Sequence, residues 1–203
     1  MIAIVDYGMG NLGSVFNMFK KIGVKAKITS DSAEISKAPK ILLPGVGAFD
    51  SAMQRINNSE LRGVLDQKAL IEKVPVLGIC LGMQLLTESS DEGSLRGLSW
   101  IKGHTHAFSG AIDSSLRIPH MGWNVVHIQK QNELTKNYEG EVRFYFVHSY
   151  YVLAHNPHES LMKTDYGISF DSAISHDNIF GAQFHPEKSH KFGMRLFENF
   201  ARL

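Results

Sequence analysis

The chain has 203 residues, of which 43% are hydrophobic, so it is long enough to bury the core of one α/β-sized domain. Its 21 basic and 20 acidic residues leave a net charge of +1, which argues against nucleic-acid binding by bulk electrostatics. The single cysteine excludes an internal disulfide and a multi-cysteine zinc or iron–sulfur site, and it fits a reducing compartment.

In the first half of the chain, short apolar runs that are typical of strands alternate with runs of helical spacing. The predicted strands are 2–8, 24–30, 40–49 and 74–80, and the predicted helices are 11–23, 49–56, 60–72 and 81–90. This alternation predicts βαβ units and a mostly parallel sheet. Ligands bind such sheets at the carboxyl ends of the strands.

The second half is richer in predicted strands, which fall at 104–108, 123–129, 142–153, 159–165, 168–175 and 179–184. The final run, 191–203, has the pattern of an amphipathic helix that packs back on the sheet. We find no repeat, low-complexity tract or linker, so one domain over 1–203 is predicted. The N-terminal apolar run has no basic leader, and the longest apolar run, 74–86, is too short for a bilayer. We therefore expect a cytoplasmic protein.

The only cysteine, Cys80, lies in "GICLG" (78–82), between a predicted strand and a predicted helix. A Gly-x-nucleophile-x-Gly pattern lets an α/β chain turn sharply and leaves the nucleophile at the start of the helix. A helix N-terminus favours thiolate, and its free N–H groups can hold an oxyanion. Unpaired cysteines are also among the most buried residues, so this pattern alone leaves both interpretations open.

A candidate base for Cys80 lies in "FHPE" (184–187), after the last predicted strand. In extended backbone, His185 and Glu187 point to the same side, so the carboxylate can orient one ring nitrogen while the other faces the thiol. The alternative interpretation is a metal site with Cys80 and these two residues as its three ligands. It is disfavoured because no second Cys or His lies at close ligand spacing. Seven further histidines carry no supporting pattern and are predicted to be structural or solvated: His104, His106, His127, His155, His158, His176 and His190.

The turn "PGVG" (44–47) ends a buried strand and can aim backbone N–H groups into a cleft, as an oxyanion hole requires. Taken alone, it is equally an ordinary strand–helix turn.

Together, "PGVG", "GICLGMQ" and "FHPE", in this order, resemble the class I glutamine amidotransferases over essentially the whole chain. The resemblance implies a flavodoxin-like three-layer α/β sandwich, with a mostly parallel central sheet and additional antiparallel strands. It implies hydrolysis of the glutamine side-chain amide by a Cys–His–Glu triad, without a metal or organic cofactor. The implied catalytic residues are Cys80, His185 and Glu187. The implied oxyanion-hole residues, acting through their backbones, are Val46, Gly47 and Leu81.

The same resemblance implies a glutamine site and a docking face. The residues that would hold the amino-acid end of glutamine are Gln84, His148, Ser149 and Tyr150. The residues at the face that docks a synthase subunit would be Asn11, Trp123 and Lys188. Ammonia that leaks into solvent is protonated and lost as a nucleophile, and no synthase domain is visible in this chain. A separate synthase (cyclase) subunit in a heterodimer is therefore expected.

Several motifs are similar to those of the histidine-pathway glutaminases: "DYGMGN" (6–11), "IPHMGWN" (118–124), "YFVHSY" (145–150) and "FHPEKS" (184–189). The segment "NIFGAQFHPEKSHKFG" (178–193) is also similar to a paralogous group that supplies ammonia to a sugar amidotransferase in surface-polysaccharide biosynthesis. We take the first as the prediction and the second as the alternative. A non-enzymatic scaffold, or a cysteine peptidase with a related elbow, is disfavoured by the complete triad and by "CLGMQ" and "VHSY".

Overall fold

The sheet predicted from the alternating apolar runs is present in the computed structural model, which describes residues 1–203. The strands are β1 (Ile2–Val5), β2 (Ala26–Thr29), β3 (Lys40–Gly45), β4 (Val76–Cys80), β5 (Ser89–Ser90), β6 (Gly103–Ala107), β7 (His120–Ile128), β8 (Val142–His148), β9 (Tyr150–Ala154), β10 (Ser160–Asp165), β11 (Ser169–His176) and β12 (Ile179–Ala182). The α-helices are α1 (Leu12–Lys21), α2 (Ser32–Ser36), α3 (Phe49–Asn57), α4 (Leu61–Asp66), α5 (Leu81–Leu85) and α6 (His190–Arg202). A π-helical turn (Gln67–Ile71) follows α4, and 3₁₀ turns lie at Pro157–Glu159 and Pro186–Lys188.

The sheet has a parallel and an antiparallel part. The strand order is β2-β1-β3-β4-β12-β11-β10-β7-β8. From β2 to β12 all neighbours are parallel, and from β12 to β8 all neighbours are antiparallel. A branch of β5, β6 and β9 joins the sheet through β11. The predicted α/β fold, with a mostly parallel centre and added antiparallel strands, is confirmed.

Helices cover both faces of the parallel strands because the buried side chains of each strand alternate between two cores. Ile2 and Ile4 of β1 belong to the core under α1 and α6, and Ala3 and Val5 belong to the core under α3 and α5. Each core contains 25 buried residues. Sheet and helices thus form three layers, and the carboxyl ends of β3, β4 and β12 lie side by side at one edge.

Two predicted elements differ from the observed ones for identifiable reasons. The predicted helix 81–90 ends at Leu85, because the carbonyls of Leu85 and Leu86 accept hydrogen bonds from Leu98 and Trp100 instead of continuing the helix. The predicted strand 142–153 is divided at Ser149 into β8, which pairs with β7, and β9, which pairs with β6.

Two helical segments also differ. The predicted helix 60–72 is α4 followed by the π-helical turn, and the five-residue α2 was not predicted at all. None of the helices is long and apolar enough to cross a membrane.

Candidate active site

Cys80 occupies a strained turn between β4 and α5. Its backbone has φ 54° and ψ −110°, a conformation that L side chains adopt rarely and at a cost of about 1–3 kcal/mol. Its side chain is almost covered, at 7% exposure. A residue held this way by the surrounding structure is typical of a nucleophile elbow.

The two flanking glycines make the turn possible through close backbone packing. A Cβ on Gly82 would lie 1.8 Å from the Leu43 carbonyl oxygen, and a Cβ on Gly78 would lie 2.5 Å from the Gly82 oxygen. Both contacts are far inside van der Waals range and involve backbone that cannot yield. The Gly-x-Cys-x-Gly spacing is therefore required by packing of α5 against β3 and β4.

His185 and Glu187 lie just beyond β12, the strand that pairs with β4. The Nδ1 atom of His185 is 2.7 Å from Oε1 of Glu187, and both side chains are buried, at 3% and 2% exposure. Nε2 of His185 is buried without a hydrogen-bond partner of ordinary length. Catalytic contacts are often long before substrate binds, so this free nitrogen suits a proton carrier.

The protonation of His185 follows from its neighbours. Burial alone would lower its pKa, but the interactions with Cys80 and Glu187 outweigh burial and raise the pKa to about 10. The imidazolium form is favoured because it lies between a sulfur and a carboxylate, both of which can carry negative charge.

A pocket of about 310 Å³ opens onto Cys80. Its lining includes all the residues predicted for the oxyanion hole and for glutamine binding: Val46, Gly47, Leu81, Gln84, His148, Ser149 and Tyr150. His185 and Glu187 do not line it. A larger cavity, of about 520 Å³, lies beside Pro75 at the opposite end of β4 and has no cysteine in its lining.

Gln183 was not predicted, although it contacts the sulfur. Its Nε2 lies 3.8 Å from Cys80 Sγ, and its Oε1 accepts a hydrogen bond of 3.2 Å from Gln84 Nε2. Gln84 also donates to the Tyr150 carbonyl at 3.3 Å. This chain of amides joins Cys80 to the far wall of the pocket. Only the pairing of β4 with β12 places Gln183 there, so its sequence position gave no signal.

Glu92 was also missed, and it is the only acidic residue in the pocket lining. One carboxylate oxygen accepts the backbone N–H of Phe49 at 3.0 Å. Burial, with the nearby charge of Asp50, raises the pKa of Glu92. A carboxylate in this setting is stabilised by a cation that enters the pocket.

A buried hydrogen bond fixes the start of the "PGVG" turn: the Tyr7 hydroxyl donates to the Pro44 carbonyl at 2.7 Å. Burial, and then the charge of Cys80, raise the pKa of Tyr7, so its hydroxyl keeps its proton. Gly47 has φ +120°, a backbone conformation that suits glycine. Leu81 is the first residue of α5, where the N–H has no intrahelical partner.

His148 is buried against the pocket and has both ring nitrogens engaged within the protein. Nδ1 lies 2.6 Å from the Tyr150 carbonyl, and Nε2 lies 2.9 Å from Nδ1 of His120. Burial lowers the pKa of His148 to about 3 and that of His120 to about 4. Both rings are therefore neutral, and segment 148–150 offers backbone groups to a ligand rather than the imidazole.

Exposed apolar side chains lie on β7, which pairs with the strand that supplies Val147 to the pocket lining. Trp123 is 45% exposed and stacks on the ring of His190 at 5.6 Å, and Met121 is 61% exposed on the same strand. Lys188 Nζ lies 5.7 Å from the centre of the Tyr145 ring, and Tyr145 also meets Trp123 edge-on at 6.3 Å. Trp123 and Lys188 thus share one surface.

Asn11 is exposed at the start of α1, where its side chain accepts the Ser14 N–H at 3.4 Å. Asn11 is two residues from Met9, which packs on the pocket residue Gly47. The terminal methyl of Met9 lies 2.5 Å from the position that a Cβ on Gly47 would occupy.

Comparisons with known proteins agree with this geometry. The model of the family "Glutamine amidotransferase class-I" matches residues 3–203. "Imidazole glycerol phosphate synthase subunit HisH 2" of Methanococcus maripaludis is 54% identical, covering 100% of this chain and 99% of that protein. The protein of the same name from Pseudomonas aeruginosa is 47% identical over 100% of both chains.

Among solved structures, "Crystal structure of glutamine amidotransferase" aligns with a TM-score of 0.76 at 14% identity, over 100% of both chains. "Structure of PurLQS from Thermotoga maritima" aligns with a TM-score of 0.75 at 16% identity, covering 99% of this chain and 97% of that one. At these identities the structures show a common fold.

Proposed function

Because the chain belongs to the class I glutamine amidotransferase family, we propose that it is the glutaminase subunit of imidazole glycerol phosphate synthase. It hydrolyses glutamine to glutamate and ammonia, and the ammonia passes to a separate cyclase subunit in histidine biosynthesis. The observation that carries the chemistry is the strained Cys80, which lines a pocket and interacts with the ring of His185, itself paired with Glu187.

The proton of the Cys80 thiol passes to Nε2 of His185 before the attack, because the neighbours of His185 favour its protonated form and Glu187 holds Nδ1. The sulfur attacks the side-chain carbonyl carbon of glutamine, and the carbonyl oxygen becomes an oxyanion. His185 then gives its proton to the amide nitrogen as the carbon–nitrogen bond breaks. Ammonia leaves, and a thioester joins glutamate to Cys80.

Water cleaves the thioester by the reverse sequence of proton transfers. His185 takes a proton from the attacking water, the new oxyanion collapses, and the carbon–sulfur bond breaks. The proton on His185 returns to the sulfur as glutamate forms. The raised pKa of His185, about 10, keeps its ring protonated at neutral pH, so that it can give a proton to the leaving ammonia.

The pocket orients glutamine by charge and by hydrogen bonds. Glu92, its only acidic lining residue, accepts the α-ammonium group of glutamine. Gln84 and the backbone of segment 148–150 hold the remaining polar atoms of the amino-acid end. The oxyanion accepts backbone N–H groups of Leu81 and of Val46 or Gly47, which line the same pocket.

The cyclase docks over the mouth of this pocket and forms a heterodimer in the cytoplasm. The exposed side chains of Trp123 and Met121 are typical of an interface centre, where aromatic residues and methionine are enriched. Asn11, Trp123 and Lys188 belong to the docking face. Docking shields ammonia from protons in bulk water, and the "PGVG" turn, part of the same rim, is aligned when the loaded partner is bound.

The pathway rests on full-length relatives that carry the name of the histidine-pathway subunit. None of these relatives is named for a sugar amidotransferase, so the surface-polysaccharide alternative is not favoured. The catalytic residues would be the same in both pathways, so only the partner distinguishes them.

The test is glutamate release by the purified chain, alone and with the cyclase subunit and its nucleotide substrate from the same organism. Cys80→Ala serves as the blank. Strong stimulation that the blank abolishes is expected. An isolated chain that hydrolyses glutamine as fast as the complex would contradict the docking account. Stimulation by a sugar amidotransferase but not by the cyclase would establish the alternative pathway.

A further inference from the structure

A second group of metal-ligating side chains lies outside the glutamine pocket. His104 and His106 occupy positions i and i+2 of β6, so both side chains point to the same face of the strand. Asp91 follows β5, which pairs with β6 in parallel and brings the carboxylate to the same face. One ligand atom from each of these three residues lies within 4.8 Å of the other two.

The separations are close to those that one metal ion requires. His104 Nε2 lies 2.6 Å from Asp91 Oδ1, and His106 Nδ1 lies 3.8 Å from Asp91 Oδ2. Bonds of about 2.0 Å in a tetrahedral zinc site separate neighbouring ligand atoms by about 3.3 Å. The His104–Asp91 pair reaches that value by separating about 0.7 Å and the His106–Asp91 pair by approaching about 0.5 Å, within the freedom of side-chain torsions.

The surrounding groups hold these ligands in the orientation that a metal needs. Nδ1 of His104 is 2.7 Å from the Ser89 hydroxyl, which fixes the ring and leaves Nε2 toward Asp91. Asp91 accepts the Ala107 N–H at 2.9 Å, and its own N–H donates to the Thr105 carbonyl at 2.8 Å. Metal-binding histidines commonly use their second nitrogen in this way.

The cluster favours a cation by charge as well as by geometry. The hydrogen bond with His104 and that from Ala107 lower the pKa of Asp91, so its carboxylate is ionised. Burial and the nearby His104 lower the pKa of His106, so its ring is a neutral ligand. Two imidazoles and one carboxylate suit zinc and similar ions, whereas magnesium and calcium prefer oxygen ligands.

We propose that Asp91, His104 and His106 bind a first-row divalent transition metal, with zinc as the probe and water in the fourth position. This site is separate from the triad. The bound ion fastens segment 89–92 to β6, and that segment carries Glu92 into the glutamine pocket. The proposal depends on no catalytic assignment.

The test measures zinc binding to the full chain by competition with a chromophoric chelator. All variants are made in a Cys80→Ala background, because the active-site thiol would also bind zinc. One zinc per chain is expected, with affinity lowered at least about 100-fold by His104→Ala or His106→Ala, and about 10-fold by Ser89→Ala. His127→Ala is the matched control, because His127 is an exposed strand histidine that lies 3.9 Å from a carboxylate, that of Asp165, but belongs to no three-residue ligand cluster. Its removal should leave the zinc affinity unchanged.

A second readout uses cobalt(II), whose visible spectrum becomes intense in a four-coordinate nitrogen and oxygen site. The background chain should give this spectrum, and the His106→Ala chain should lose it while keeping its circular dichroism. Absence of zinc binding in the background chain at micromolar concentrations would overturn the proposal. Binding unchanged by His104→Ala and His106→Ala would also overturn it.

Discussion

The parallel and the antiparallel parts of the sheet position their catalytic groups by different means. In the parallel part, backbone geometry places Cys80: a strained turn, two glycines and the ends of β3 and β4 leave the residue one conformation. In the antiparallel part, side-chain hydrogen bonds place the functional groups. His185 is held by Glu187, His148 by His120, and Ser189 ties the turn after β12 to Tyr145 of β8.

This difference predicts different sensitivities to mutation. Where backbone packing fixes a site, an added methyl group clashes with neighbouring backbone, so the mutation lowers the stability of the fold. A site fixed by side-chain hydrogen bonds fails in its chemistry, or in its response to pH, while the fold persists. The following variants test the two halves against each other.

The largest effect is expected on the antiparallel side, from Glu187→Gln. The amide keeps the shape of the side chain but removes the negative charge that orients His185 and favours its protonated form. Glutaminase kcat should therefore fall about 10²–10⁴-fold. The fold should persist. Because Glu187 contributes to the raised pKa of His185, NMR titration should show that pKa falling below the value of about 10. An unchanged titration with the same loss of rate would contradict a positioning role.

On the parallel side, Gly82→Ala should destabilise the protein by about 2–4 kcal/mol, because its Cβ would lie 1.8 Å from the Leu43 oxygen. Denaturant unfolding measures this. Gly63→Ala is the matched control, on exposed α4 with nothing within 4 Å of the added Cβ, and it should stabilise by about 0.5–1 kcal/mol. Equal effects of the two variants would contradict the backbone account of the elbow.

The buried pair His120 and His148 should make stability sensitive to acid. Their folded-state pKa values, about 4 and about 3, lie below the unfolded value of 6.5, so only the unfolded chain gains protons as the pH falls below 6.5. The free energy of unfolding should therefore fall by roughly 1.4 kcal/mol per pH unit for each histidine until the pH approaches those values.

His120→Gln removes one of these two groups. From pH 6.5 to pH 5.0 this variant should lose about 2 kcal/mol less stability than the wild type, as measured by urea unfolding. His127→Gln, an exposed histidine on the same strand, should follow the wild type. An acid response in His120→Gln equal to that of the wild type would show that the pair titrates as solvated histidines do.

The smallest effect is expected at the docking face. Trp123→Ala should weaken binding of the cyclase about 10-fold or more, because it removes a large exposed aromatic side chain from the proposed docking face. Glutaminase activity of the isolated chain should not change. Calorimetric titration with the cyclase measures the affinity. Ile71→Ala, which removes a 71% exposed apolar side chain near the end of β4 opposite Cys80, is the control.

The sequence predicted the parallel part of the sheet well because the residues that determine its structure lie close together in the chain. Gly78 and Gly82 flank Cys80 within five residues, and the alternation of apolar strands with helices determines the order of the layers. His185 and Glu187 could be paired because they are only two residues apart. The extended backbone expected between them was wrong, because Pro186–Lys188 forms a 3₁₀ turn that brings the carboxylate to the ring.

The remaining features depend on which distant strands pair. Gln183 contacts Cys80 only because β12 lies beside β4. Glu92 is held in the pocket because its backbone N–H donates to the Ser90 hydroxyl and its carboxylate accepts the Phe49 N–H, and these contacts fold the segment after β5. His104 and His106 are visible as a pair on one strand, but Asp91 joins them through the pairing of β5 with β6. Such long-range pairing has no signature in local residue spacing.

Covalent trapping shows whether Cys80 attacks glutamine. The chain, with its cyclase partner, is treated with a glutamine analogue that carries an electrophilic diazoketone, and the peptides are mapped by mass spectrometry. One adduct is expected, on Cys80, and it should form much more slowly in His185→Gln. A chain that hydrolyses glutamine but carries no adduct on Cys80 would contradict attack by this residue.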